Sequence, residues 1–439
     1  MRTCAALLGL VAAVPPAATA AEKTAKGNPL WAEIDRSTAT VLPRVVAWRR
    51  DFHQHPELGN REVRTSGIVA EHLRGLGLEV RTGVAKTGVV GVLRGGRPGP
   101  TVALRADMDG LPVTEEVDLP FRSTARAEWM GGQVGVMHAC GHDNHVAILM
   151  GVAEVLSGLR ARLPGAVKFL FQPAEEGPPP GERGGAEVMI DEGALAEPPV
   201  EAIFGLHVFP FEVGTIRYRP AGLMAAGDTL RITVRGRQTH GALPWAGVDP
   251  IVAAAQIVLG LQTVVSRQSE LTAGPAIVTI GLIQGGNRRN IIPDEVRMEG
   301  TIRTFDEDMR REIHARVRRT AEQIAQASGA TAQVEIETGN RVTWNDPALA
   351  ERMGPTLKRV AGEGRVDPAG RPTTTSEDFA DYQAKVPGLF FFLGVTPKGA
   401  DPAGVAPNHS PRFFADEAAL PLGVRALAHL AVDFLTGPR

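Results

Sequence analysis

Val102-Ala103-Leu104-Arg105-Ala106-Asp107-Met108-Asp109-Gly110-Leu111-Pro112 is the stretch that decides the fold. A short, mostly apolar run stops abruptly at two carboxylates and a turn. The arrangement recurs along the chain. Val167 to Phe171 leads into Gln172-Pro173-Ala174-Glu175-Glu176-Gly177, Ala202 to Leu206 leads into His207, and Leu389 to Leu393 leads into Gly394. Runs of strand length with so few polar alternations suit strands buried on both faces. Helical stretches such as Val146 to Leu159 lie between them. The alternation predicts an α/β domain built on a mostly parallel sheet. Each run releases its polar residues at its C-terminal end, the edge where sites form in open α/β sheets.

Around Pro220 the pattern changes. Thr229 to Val234 alternates, Pro250 to Val265 is helical, and Ala276 to Ile283 and Val296 to Thr304 read as strands. Asp308 to Ala327 is a charged amphipathic helix, and Thr331 to Ile336 is again a strand. The order β-α-β-β-α-β is that of the ferredoxin-like split unit. It predicts a domain inserted at residues 225–335, with residues 28–224 and 336–439 forming the domain that carries the apolar runs. Two domains also suit a chain of 439 residues. A net charge of −2 gives no general pull on nucleic acid or acidic lipid.

Residues 1–20 read as a signal peptide. Arg2 supplies a positive start, Cys4 to Val14 is apolar but too short to span a bilayer, and Ala18-Thr19-Ala20 offers small residues for cleavage. The expectation is export to a periplasm or beyond, with no membrane span once the signal is removed. Of the two cysteines, removal of the signal leaves only Cys140, which then has no internal disulfide partner. A lone thiol in an oxidising compartment is either buried or bound. The nearby His142 favours a metal thiolate.

Cys140 belongs to the densest polar cluster, Met137-His138-Ala139-Cys140-Gly141-His142-Asp143-Asn144-His145. Cys140 and His142 converge on one ion only in a loop or first helical turn, and Gly141 permits the tight backbone. His138 and His145 stay outside the ligand set, because a helical histidine is more often structural. Glu175 and Glu176 are adjacent carboxylates after a buried strand. Neighbours there point in different directions, so one binds metal while the other serves as a general base. His207 ends a strand, and His409 sits in the rigid loop Pro407-Asn408-His409-Ser410-Pro411. Together these residues read as a metal-dependent hydrolytic site. His53 and His55, ahead of Pro56, stay open between ligand, capping and substrate-channel roles.

Several motifs in order resemble one family. They are His53-Gln54-His55-Pro56-Glu57-Leu58, Arg105 to Pro112, Met137 to His145, and Phe171 to Gly177. They continue with His240-Gly241-Ala242-Leu243-Pro244, Gly247 to Ile251, Asn290-Ile291-Ile292-Pro293, Ser376-Glu377-Asp378-Phe379 and Asn408 to Pro411. The chain resembles the di-metal amidohydrolases that include hippurate hydrolases, plant auxin–amino acid conjugate hydrolases and N-acyl-amino-acid hydrolases. These are relatives of aminoacylase and glutamate carboxypeptidase.

The resemblance implies two divalent ions, manganese or zinc, held by Cys140, His142, Glu176, His207 and His409. It implies Glu175 as the base that takes a proton from the attacking water and returns it to the leaving amine. It also implies that the inserted domain is a lid that dimerises, making a homodimer or higher homo-oligomer in which His240 stabilises the oxyanion in the partner's site. Asn290 and Arg303 are candidates for gripping a substrate carboxylate. Trp245 stands where many relatives have histidine, and its indole is a candidate for packing an acyl group. Asp107, Asp109 and Asp143 are expected behind the ligands, orienting them. The implied activity is hydrolysis of the amide bond of N-acyl amino acids. A carboxypeptidase or dipeptidase on the same site is the alternative. A non-catalytic metal- or peptide-binding protein is the reading from another class, and the intact Glu175 argues against it.

Overall fold

The structure is a computed structural model that describes residues 28–401 and 404–438. The signal peptide expected at residues 1–20 lies outside the described residues.

The main sheet has eight strands. From one edge they are Glu79–Val84, Gly88–Arg94, Pro164–Gln172, Arg97–Asp107, Ala202–Glu212, Gly388–Thr396, Ile216–Arg217 and Val366–Asp367. The central four, Pro164–Gln172 through Gly388–Thr396, pair in parallel, while antiparallel pairs flank them. These are the four apolar runs, and the mostly parallel α/β sheet is present. Its register matters for the site. Asp107 pairs with Gln172, and Arg105 pairs with Gly205, which sets Asp107 level with His207. Parallel strands in register thus deliver their terminal polar residues to one edge.

Helices Trp31–Gln54, His142–Gly158 and Leu420–Thr436 pack together over this sheet and fill the largest core cluster. Helix His142–Gly158 begins four residues before the apolar periodicity suggested. Its first turn, His142 to His145, is polar yet buried, because His142, Asp143 and His145 are paired with distant segments and Asn144 donates to Gly141 O and Asp143 Oδ1. Gly141 caps this helix with φ +92°. A Cβ there would stand 2.3 Å from Val208 Cγ2 and 3.3 Å from Phe413. Only glycine lets the loop press against the strand that carries His207.

A second sheet of four antiparallel strands runs in the order Ala276–Gly285, Glu295–Thr304, Ala226–Arg235, Thr331–Thr338. Helices Pro250–Gln268 and Glu307–Ala327 contribute the buried residues that cover it. This strand order is that of a βαββαβ unit. Asp249 and Asp306 cap the two helices by accepting backbone N–H bonds at 2.8 Å. The two segments that join the sheets are clasped together. Gly227 N–H donates to Asn340 O at 3.0 Å, and buried Arg310 pairs with buried Asp228 while donating to Gly339 O at 3.0 Å.

Gly141→Ala should destabilise the chain by about 1–3 kcal/mol through left-handed strain and the Val208 clash. Thermal unfolding of the purified variant measures this, and an unchanged midpoint would contradict the close approach.

Candidate metal centre

The site forms where the edge of the main sheet meets the start of helix His142–Gly158. The ring of His207 is fixed by Nδ1, which lies 2.7 Å from Val208 O, so its Nε2 faces Cys140 Sγ at 3.3 Å. His142 is fixed the same way, with Nδ1 3.2 Å from Asp109 Oδ1. Its Nε2 is buried and has no hydrogen-bond partner. In both rings one nitrogen is anchored by an acceptor and the other is left with its lone pair forward, as metal-binding imidazoles require.

His145 differs. Its Nε2 accepts the Val208 N–H at 2.9 Å, and its Nδ1 lies 2.5 Å from Asp107 Oδ1. Both nitrogens are committed, so this ring locks strand to helix. His409 is half exposed on its loop, with φ +68°, and its Nε2 lies 2.9 Å from Glu176 Oε1. Asn408 holds that loop in place by donating to Cys140 O at 3.0 Å and Val208 O at 3.2 Å. Glu175 Oε2 sits 3.7 Å from His142 Nε2. The donor atoms of Cys140, His142 and His207 lie within 4.8 Å of one another, as do those of Cys140, Glu176 and His409 and those of His142, Glu175 and Glu176.

The electrostatics show what this cluster lacks. Asp107, Asp109, Glu377 and Asp378 are buried, and Glu175 and Glu176 lie partly buried beside them. Buried Arg105 meets Asp107 at 2.6 Å, Glu377 at 2.8 Å and Asp378 at 2.9 Å, and also donates to Gln172 at 2.9 Å. That one cation does not balance the rest. Burial, with Glu377 and Glu176 adding repulsion, pushes Glu175 well above the usual carboxylate range. Burial, with Glu176 and Glu175 adding repulsion, pushes the Cys140 thiol well up. Burial would lower His142, but Asp107 and Asp109 outweigh it and raise the ring to about 10. An excess of buried negative charge beside free imidazole nitrogens and a thiol fits divalent cations.

The other expected residues are placed as follows. Asp109 orients His142 and also accepts the Glu176 N–H at 3.0 Å. Asp107 sits behind His142 and His145. Asp143 turns elsewhere, because Arg49 and His53 Nδ1 both lie 2.9 Å from its Oδ2. It supports the packing of helix Trp31–Gln54 rather than a ligand. His53 completes that network with Glu115 at 3.0 Å and is no ligand, while His55 is exposed beside Asp51. His138 is buried with neither nitrogen bonded, and burial drops it to about 4, so it packs as a neutral ring.

A cavity of about 460 Å³ opens over the cluster, lined by Cys140, Glu175, Glu176, His207 and His409. Among the second-sheet candidates, Arg303 lines it, donating to Ser376 Oγ at 3.1 Å. His240, Asn290 and Trp245 do not line it. They lie on exposed surface of the inserted domain, with Trp245 79% exposed. The sequence reading missed Phe209, Pro210 and Met224, which supply the apolar side of the cavity. The two-residue step from His207 to Phe209 along a strand was the available signal.

Residues 103–433 match the family described as Peptidase family M20/M25/M40. The chain is 39% identical over 393 residues to thermostable carboxypeptidase 1 of Saccharolobus solfataricus, covering 89% of this chain and 95% of that protein. It is 38% identical over 394 residues to an N-acetylcysteine deacetylase of Bacillus subtilis, covering 89% and 97%. A solved Bacillus subtilis structure described as a dinuclear metal-binding peptidase aligns with TM-score 0.75 and 36% identity over 90% of this chain and 99% of that one. The chain belongs to peptidase family M20/M25/M40.

Proposed function

We propose that this chain is a two-metal amidohydrolase that cleaves the amide bond of N-acyl amino acids. One observation carries the reading: Glu175, a carboxylate that burial and the neighbouring Glu377 and Glu176 push well above the usual range, stands 3.7 Å from the free nitrogen of His142 and lines an open cavity. Pure binding needs no such group. Cys140, His142, Glu176, His207 and His409 would hold the ions, zinc or manganese. When bound, they supply Lewis-acid polarisation of the carbonyl and a water that is nucleophilic near neutral pH.

The remaining work falls to the chain. Glu175 takes up the proton lost by the attacking water and delivers it to the leaving nitrogen. Asp109 and the Val208 carbonyl keep the His142 and His207 rings aimed. Arg303 offers a cation at the cavity wall for the substrate carboxylate. Relatives are named as a deacetylase and as a carboxypeptidase, and a carboxypeptidase reading of this chain uses the same residues. Relative rates on N-acyl amino acids and on dipeptides separate the two.

We also propose that the chain works as a homodimer and is exported. The inserted domain supports the first. Its strand Ala276–Gly285 is an edge that exposes Ile283, and Trp245, Val252 and Leu259 are exposed elsewhere on the same domain. His240 lies outside its own cavity, so a role at the oxyanion places it in a partner's. The composition of residues 1–20 supports export.

Glu175→Gln should lower kcat by about 10²–10⁴-fold while keeping its metal. Cys140→Ser should instead lose metal, as read by elemental analysis alongside activity. Full activity in Glu175→Gln would sink the mechanism. Mixing inactive Glu175→Gln with inactive His240→Ala should restore activity, because each hybrid contains one complete site. No recovery under conditions of subunit exchange would rule out His240 acting in a partner. N-terminal sequencing of the exported protein should begin just after Ala20, and an intact Met1 would contradict cleavage.

A further inference from the structure

The cavity over the donor cluster has two unlike contributions. The inserted domain supplies Arg303, which together with Ser376, Thr375 and Asn340 makes a polar wall. The main-sheet strand Ala202–Glu212 supplies Phe209 and Pro210, and the short strand Ala221–Met224 adds Met224. Phe209 follows His207 by two residues on one strand, so both side chains leave the same face of the sheet. Their ring centroids are 6.1 Å apart. An apolar surface therefore begins directly beside a donor that the reaction needs.

That surface is fixed in place. The Phe209 ring lies 4.6 Å from Phe392, tilted 38°, and 5.2 Å from Phe211, tilted 31°. Phe392 is the register partner of His207 on the neighbouring strand. The Arg217 guanidinium covers the far ring, 3.7 Å from the centroid of Phe211. A column of aromatic rings, closed by a cation at its outer end, leaves Phe209 half-buried with part of its surface facing the cavity. This wall carries no charged lining residue. A charged acyl group placed there would lose water and gain no partner. A flat ring would gain offset contact with a surface that is already ordered.

We propose that Phe209 determines acyl preference, selecting aromatic acyl groups over short or charged ones, with Arg303 taking the carboxylate at the other end of the substrate. The inference rests on the amide-hydrolase reading above. It moves the aromatic acyl contact from Trp245, on the exposed surface, to a residue inside the cavity.

The test compares kcat/KM for N-benzoylglycine, N-acetylglycine and N-succinylglycine in the wild type, Phe209→Ala and Phe209→Leu. The wild type should prefer benzoyl to acetyl and succinyl. Both variants should lower the benzoyl-to-acetyl ratio by about 10- to 100-fold, mainly through KM for the benzoyl substrate. Phe209→Leu keeps apolar bulk and so guards against simple loss of packing. If all three substrates fall in equal proportion, Phe209 is structural and the inference is overturned. If the wild type cleaves all three without preference, the inference fails while the amide-hydrolase reading stands. If the metal-loaded wild type cleaves none of them, both fail.

Discussion

Buried negative charge at one edge of the main sheet is the constraint on which the rest of the structure depends. Arg105 lies in the sheet interior and holds Asp107, Glu377 and Asp378 at hydrogen-bond distance. Removing a partner from so buried an ionic cluster costs several kcal/mol, because the remaining charges are left without solvent. Even with Arg105 present, the carboxylates outnumber the cations. Burial together with that imbalance raises Glu175 and the Cys140 thiol, and the imbalance raises His142 against the effect of burial. The sheet gathers the charges, Arg105 fixes their positions, and divalent ions are what the cluster is built to accept.

Much of this was legible in the sequence, for identifiable reasons. The four apolar runs announce buried parallel strands because a strand covered on both faces has no polar positions to alternate. Parallel pairing then requires that the residues ending each run share an edge. This is why Glu175, Glu176 and His207 could be grouped before any geometry was known. Cys140 and His142 were marked by the glycine between them. The motif resemblance separated the roles of Glu175 and Glu176, which residue type alone leaves open.

What was not legible depends on partners far away in sequence. Asp143 looked like a support for the ligands, yet its carboxylate is taken by Arg49 and His53 from the first helix. Helix His142–Gly158 starts earlier than its apolar pattern, because polar side chains paired across the fold are buried without local periodicity. Trp245 drew notice by departing from a motif, whereas Phe209 departs from nothing and is placed by strand register. His240 and Asn290 lie on exposed surface away from the cavity. The inserted domain meets the main domain through a clasp of Asp228, Arg310, Gly339 and Asn340, and Asn340 also lines the cavity. Arg303, the register partner of Gly227 beside that clasp, lines the same cavity.

The central claim is that Cys140, His142, Glu176, His207 and His409 together hold two divalent ions beside Glu175. The most direct measurement is a crystal structure of the metal-replete protein with anomalous scattering recorded at the zinc and manganese edges. The account predicts two peaks per chain, roughly 3.5–4 Å apart, among those five side chains. A single peak, or ions bound by His145, His53 or Asp143 in place of them, would contradict it.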